Sequence, residues 1–431
     1  MRTAFWLLTG LVAATPAIAF VPMLLVAGLV GAVLAIAMGL VAWSLRPGEA
    51  THVGKIIRPV AIMAAVPALW MIIQILPVPL SWSHPIWTSA QAAIDEQISG
   101  RMSIDPGATV IALFQYLTGI AALGVAAAAT IDRRRAEQLL MCLVFATTLL
   151  ASLRLAHVLV IYPAIGEFGG DTSAAMQTAS ALGPIVAVAA FIWATERYET
   201  RGLRAAGYAR TLVSFVFPFV CFVLCCCALV VTTAPPVLFA SACGLATVVG
   251  IVAVRRLGLG GIASASMAIL AIVIAVTIAA SWTGKSGNSF LLRYAASPAP
   301  EIVASTERML ADTGWAGVGA GNYSALLPIY RDINEPAADQ APTTAAALAI
   351  ELGRPALWVI MAFAAILVAL LLGGALRRGR DSFYSIAATG CVVTLAIQAF
   401  VDASLLTTTS TLLAGAIVGL GFAQSVSRIT Q

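Results

Sequence analysis

Two groups of residues in this 431-residue chain have the types and spacing for chemistry. The first lies in the polar interval 283–355. It holds in order Arg293, Glu307-Arg308, the run Gly317-Val318-Gly319-Ala320-Gly321-Asn322-Tyr323, then Pro328-Ile329-Tyr330-Arg331, and finally Glu351-Leu352-Gly353. Arginine binds phosphate oxygens through charge-assisted hydrogen bonds, so Arg331-Asp332 after Tyr330 is suited either to hold a sugar ring and a diphosphate or simply to be solvated. Gly317, Gly319 and Gly321 permit positive φ and close backbone approach. With Asn322 they are suited either to line a phosphate or sugar site or to form a tight structural turn. No strand signal precedes them and no Lys-Ser or Lys-Thr follows, which excludes a nucleotide-binding loop. The second group is Arg154, with His157 three positions on, inside an apolar run. A cation in a membrane segment costs at least about 2.5–3.5 kcal/mol, so Arg154 reads as facing a polar cavity. Its alternatives are snorkelling to the interface or pairing with an acidic loop residue; for His157 the alternative is a satisfied buried histidine.

The elements that must position these groups are apolar helices. The chain is 61% hydrophobic and 10% charged, with a mean hydropathy of +0.97, more apolar surface than one water-soluble core can hide. It reads as an all-α polytopic membrane protein with about twelve transmembrane helices and one large extracytoplasmic loop. The expected spans are 4–20, 22–45, 57–76, 109–130, 139–161, 178–195, 211–232, 237–254, 261–281, 356–374, 384–402 and 405–424. Residues 1–282 then carry spans one to nine with short loops, 283–355 the large loop, and 356–431 the last three spans. The first span also resembles a signal peptide, but Pro16 and Pro22 make a tight turn straight into the second.

Orientation follows from the basic residues. With the N-terminus in the cytoplasm, six of the 24 (Arg101, Lys285, Arg293, Arg308, Arg331 and Arg354) face outward, Arg154 lies in a span, and the remaining 17 face inward. Both termini are therefore expected in the cytoplasm and 283–355 outside, in the periplasm. A second outward segment, Pro77–Ala108, is expected to carry a surface helix from Thr88 to Ile98. The seven cysteines all sit in apolar runs and read as small core residues, neither a disulfide frame nor a metal site. The basic clusters Arg133–Arg135 and Arg377–Arg380 read as topology signals at an anionic leaflet, with no nucleic-acid role. Asp402 reads as an interface residue.

Several motifs carry a family resemblance. Gln74-Ile75-Leu76-Pro77-Val78-Pro79, Ser83-His84-Pro85, and Ser103-Ile104-Asp105-Pro106 with Thr109 resemble the front half of the bacterial O-antigen ligase and O-antigen polymerase family. The glycine-rich run, Leu327-Pro328-Ile329-Tyr330 and Glu351-Leu352-Gly353 are similar to that family's outer loop. The resemblance covers roughly residues 57–375. It implies a fold of many transmembrane helices and an activity, the transfer of a glycan from undecaprenyl diphosphate to an acceptor saccharide at the inner membrane, without metal or nucleotide cofactor. It also implies an acceptor-activating base and cations for the diphosphate. The family's His-Asn pair falls here on Pro342-Thr343, so the base is sought among the nearby carboxylates Asp339, Glu335 and Glu351, Glu351 also being placed to brace the tenth span.

Three functions follow as expectations. One is a lipid-linked-glycan transferase that grips the donor diphosphate with Arg154 and with Arg293 or Arg331. A second is a catalytically impaired relative that binds glycan lipid, or serves as a scaffold among polysaccharide assembly proteins. A third, a secondary transporter, shares the helix count but lacks a detectable repeat.

Overall fold

The computed structural model describes residues 1–21, 23–44, 47–79, 81–95, 97–159, 170–205, 208–256, 289–296, 299–332, 340–377 and 381–425. The described residues are almost wholly helical, with one isolated bridge between Pro77 and Arg101. In chain order the helices are α1 (Arg2–Ile18), α2 (Met23–Ser44), α3 (Pro47–Ile75), α4 (Pro85–Ile94), α5 (Pro106–Ala129), α6 (Arg133–Val158), α7 (Gly170–Ala205), α8 (Tyr208–Thr232) and α9 (Pro235–Arg256). Then come the short α10 (Pro300–Asp312), α11 (Tyr323–Tyr330) and α12 (Thr344–Glu351), followed by α13 (Arg354–Arg377), α14 (Phe383–Gln398), a 3-10 turn (Ser404–Leu406) and α15 (Thr408–Ser425).

Eight of the described helices, α2, α3, α5 to α9 and α13, are long and apolar enough to cross a membrane; α1 and α14 are shorter apolar helices. In its described residues this is an all-α membrane protein. The expected span 261–281 lies outside the described residues. Boundaries follow local capping more than hydropathy. Asp105 caps α5 by accepting the N–H groups of Gly107 and Ala108 at 2.8 and 3.2 Å, with Pro106 in the first turn. Asp132 does the same for α6 through Arg134 N–H at 3.1 Å. The surface helix starts at Pro85, three residues before the expected Thr88, because His84 caps it through Ile86 N–H. It stops at Ile94, where Asp95 turns left-handed at φ 56°.

Hydrogen bonds between distant residues define two ends of the helix array. At one end the N-terminal amine donates to Ser44 Oγ at 2.8 Å, Gln424 to the Thr130 carbonyl at 2.6 Å, and Arg133 pairs with Asp381 at 3.1 Å. At the other end Thr172 bonds the Ala19 carbonyl, Arg154 the Thr232 carbonyl, and Gln74 the Glu351 carbonyl. In the centre α15 crosses α5 with its backbone almost touching. A Cβ on Gly415 would lie 2.6 Å from the Gly119 carbonyl oxygen, and one on Gly419 2.4 Å from that of Leu123. Small residues four apart allow such an approach where apolar burial alone cannot hold helices together.

Candidate functional site

The polar interval folds onto the ends of α3 and α5 through one buried knot. Gln74, fully buried at the end of α3, donates to the carbonyls of Ala316 and Glu351, both at 3.0 Å, and its Oε1 accepts Ala320 N–H at 3.3 Å. Trp70, one turn earlier, donates through Nε1 to the Leu352 carbonyl at 2.9 Å. From the start of α5, Ser103 Oγ meets Thr109 Oγ1 at 2.7 Å and accepts Asn322 Nδ2 at 2.9 Å, while Ile104 N–H donates to the Val318 carbonyl. Gly317, Gly319, Gly321 and Gly353 all have positive φ. A Cβ at Gly317 would sit 2.3 Å from the Glu351 carbonyl oxygen, and one at Gly353 2.0 Å from that of Trp315. The glycines make a tight turn pressed against its neighbours.

The amides of this turn do bind an anion, and it is the protein's own. Glu351, the last residue of α12 and only 8% exposed, accepts Tyr323 N–H at 3.2 Å and the Gly321 N–H. Gly319 N–H donates to the Glu351 backbone carbonyl at 3.0 Å. Burial raises the Glu351 carboxyl to about 7, outweighing the two amides that favour its charged form. Tyr323 closes the knot: its hydroxyl meets Thr306 Oγ1 of α10 at 2.8 Å. Asn322 is fully buried, its Nδ2 engaged by Ser103 and by the Val318 carbonyl.

The second constellation lies at the other end of α12. Arg154 of α6 donates through Nη1 to the Ser173 carbonyl (3.3 Å) and Gln177 Oε1 (3.2 Å), and through Nη2 to Gln177 Oε1 (3.3 Å) and the Thr232 carbonyl (3.0 Å). Those four bonds leave Nε–H as its donor without a partner among the described residues. Gln177 passes the polarity on, its Nε2 donating to Asp402 Oδ2 at 2.7 Å. Asp402 sits in the turn after α14 and is 8% exposed. It is a buried counter-charge to Arg154 and not the interface residue expected from sequence. Gln398 Nε2 donates to its Oδ2 at 3.3 Å, and Ser404 donates to its Oδ1 through both N–H and hydroxyl. Burial pushes the Asp402 carboxyl up, against the pull of Ser404, Gln398 and Arg154.

Helix α12 joins the two. Thr343 caps it through Ala346 N–H at 3.1 Å, and Thr344 donates through N–H and hydroxyl to the Asp402 carbonyl, both at 2.8 Å. Its eight residues hold the Thr344 and Glu351 ends roughly 11 Å apart at about 1.5 Å per residue.

The other expected site residues are dispersed. His157 is half-buried one turn beyond Arg154; Arg293 is exposed in the turn 289–294. Tyr330 bonds Asp312 through its hydroxyl. Arg331 ends α11, donating its N–H to the Leu327 carbonyl at 3.0 Å. Its neighbour Asp332 pairs with Arg308 at 3.1 Å in solvent, a pair worth at most about 1 kcal/mol. Asp339 and Glu335 lie outside the described residues. Between α3 and α13, beneath Trp70 and Trp315, an almost wholly apolar groove of about 390 Å³ runs past Ile73, Val359 and Ile360.

Sequence reasoning gave Gln74 no role and passed over Gln177, Gln398 and Ser404. The signal for two of them was present: Gln398 stands one helical turn before Asp402 at the end of an apolar run, with Ser404 just beyond. Compared with known protein families and with curated proteins, the chain matches none.

Proposed function

We propose that the protein transfers a glycan from undecaprenyl diphosphate to an acceptor saccharide, in the manner of the O-antigen ligases and polymerases it resembles. The observation that carries this reading is the convergence of the residues that bear the resemblance. Gln74, Ser103, Ile104, Thr109, the glycine turn and Glu351 are up to 277 positions apart and meet in one hydrogen-bonded knot. In this reading twelve spans place both termini in the cytoplasm and the interval 283–355 in the periplasm, above the inner membrane. The donor diphosphate is assigned to Arg293 or Arg331 and to Arg154, whose Nη groups are already bonded within the protein and which reaches it through Nε–H; catalysis is electrostatic stabilisation of the departing diphosphate. The apolar groove under Trp70 and Trp315 supports a lipid-borne substrate. Glu351, enclosed by amides, braces the loop in this reading, so the base that activates the acceptor hydroxyl is assigned to Asp339 or Glu335.

The test of that assignment is Asp339→Asn with Glu335→Gln, which keep volume and remove basicity. With purified protein and a lipid-diphosphate donor, transfer is expected to fall by about 10²-fold or more; unchanged transfer removes both as bases. A second reading, a relative that binds glycan lipid or scaffolds a polysaccharide assembly complex without catalysis, is favoured by the enclosure of Glu351. Full polysaccharide defects on deletion, together with no transfer by the purified unmutated protein, support it.

A further inference from the structure

At the Arg133 end of the array, far along the helices from the site above, the end of the apolar stretch of α7 (Thr172–Tyr198), the end of α9 and the start of α14 line a cavity of about 320 Å³. Its rim is polar, formed by Thr195 and Glu196 of α7, Arg255 of α9 and Ser382 before α14. Its floor is apolar and one helical turn deeper on the same elements. Ile192 precedes Glu196 by four positions, Val252 precedes Arg255 by three, and Ile386 follows Ser382 by four. In helices that cross a membrane, polar ends over an apolar turn match the step from headgroup to chain. A volume near the bottom of the roughly 300–1,000 Å³ range of small-molecule sites suits a headgroup and the first carbons of a chain, not a whole lipid.

The rim carries one charge of each sign, set by a network behind it. Glu196 accepts the N–H of Asp381, held left-handed at φ 61°, and lies within electrostatic reach of Arg255. Asp381 pairs with Arg133 at 3.1 Å, and Arg133 and Arg197 both reach Glu137 at 3.4 Å. A head bearing only an anion would set that charge against Glu196. A trimethylammonium head has no N–H to give to Glu196 or to the hydroxyls of Thr195 and Ser382, whereas a primary ammonium has three. We propose that this cavity binds a phosphatidylethanolamine-type lipid, its phosphodiester on Arg255 and its ammonium on Glu196.

The test uses the full chain in detergent, titrated with dioleoyl phosphatidylethanolamine, phosphatidylcholine or phosphatidylglycerol, with bound lipid counted by native mass spectrometry. Phosphatidylethanolamine is expected to bind at least about tenfold more tightly than either of the others, and Glu196→Gln and Arg255→Gln each to erase that preference. Because both residues touch the charge network, Ile386→Trp serves as a second variant, filling the apolar floor with every charge in place. It is expected to lower phosphatidylethanolamine binding by about tenfold while the unfolding temperature is kept. Equal binding of the three lipids, a phosphatidylglycerol preference that survives Glu196→Gln, or binding indifferent to Ile386→Trp overturns the proposal.

Discussion

At the scale of the residue, Glu351 makes the most direct statement about the fold. Its carboxyl is raised to about 7 by burial, above the ordinary value of 4.5. A group raised in this way contributes its stability below about pH 4.5 and loses it as pH rises through about 7. Thermal unfolding in detergent should therefore show the protein less stable at pH 8 than at pH 5, by an amount on the order of 3 kcal/mol, since one pKa unit is about 1.4 kcal/mol. Glu351→Gln, which keeps an acceptor for the Tyr323 and Gly321 amides, should flatten that slope; an unchanged slope would assign it to other groups. The place of Glu351 before a span was legible in the sequence. Its partners were not, because the amides it binds, those of Tyr323 and Gly321, belong to residues 28 and 30 positions away. Asp402 was misread for a related reason: hydropathy puts it at the edge of an apolar run, where a carboxylate ordinarily meets water. Only the fold brings Gln177, 225 positions distant, against it.

At the scale of the element, the glycine turn is a device for close approach. Gly317→Ala and Gly353→Ala would set a Cβ 2.3 and 2.0 Å from backbone oxygens, at positive φ. Each should destabilise the protein by more than about 1–3 kcal/mol, the range of a strained backbone residue. Gly314→Ala, with nothing within 4 Å of its added carbon, is the control and should be near neutral. Unfolding temperatures of the three variants settle the point. A structural turn was one of the two alternatives open in the sequence, and the structure shows the close approach it requires, with the carbonyls of Glu351 and Trp315 pressed against Gly317 and Gly353. Helix starts marked by Asp105-Pro106 and Asp132 follow from local capping and are readable in one dimension. The short α12 is harder to read. It takes its position from the Asp402 carbonyl and from Gln74, both distant in sequence.

At the scale of the whole molecule, a membrane protein of many helices was legible from composition alone, since a hydrophobic fraction of 61% has no soluble solution. The pairing of helices was not, because the glycines that let α15 approach α5, Gly415 and Gly419, do not name their partner in the sequence. The basic-residue asymmetry predicts that single cysteines at Ser324 and Asp132, in a background with the native cysteines replaced, label from opposite sides of the membrane. Labelling from the same side would remove the topology on which the proposed reaction stands. The reaction itself is tested most directly by transfer from a purified undecaprenyl-diphosphate glycan to an acceptor saccharide, comparing the unmutated protein with Arg154→Gln, each first shown by thermal unfolding to be folded. The account predicts transfer by the unmutated protein and a loss of about 10²-fold or more in the variant, as for removal of a group that stabilises developing charge. Absence of transfer by the unmutated protein, or a rate that Arg154→Gln leaves unchanged, would contradict it.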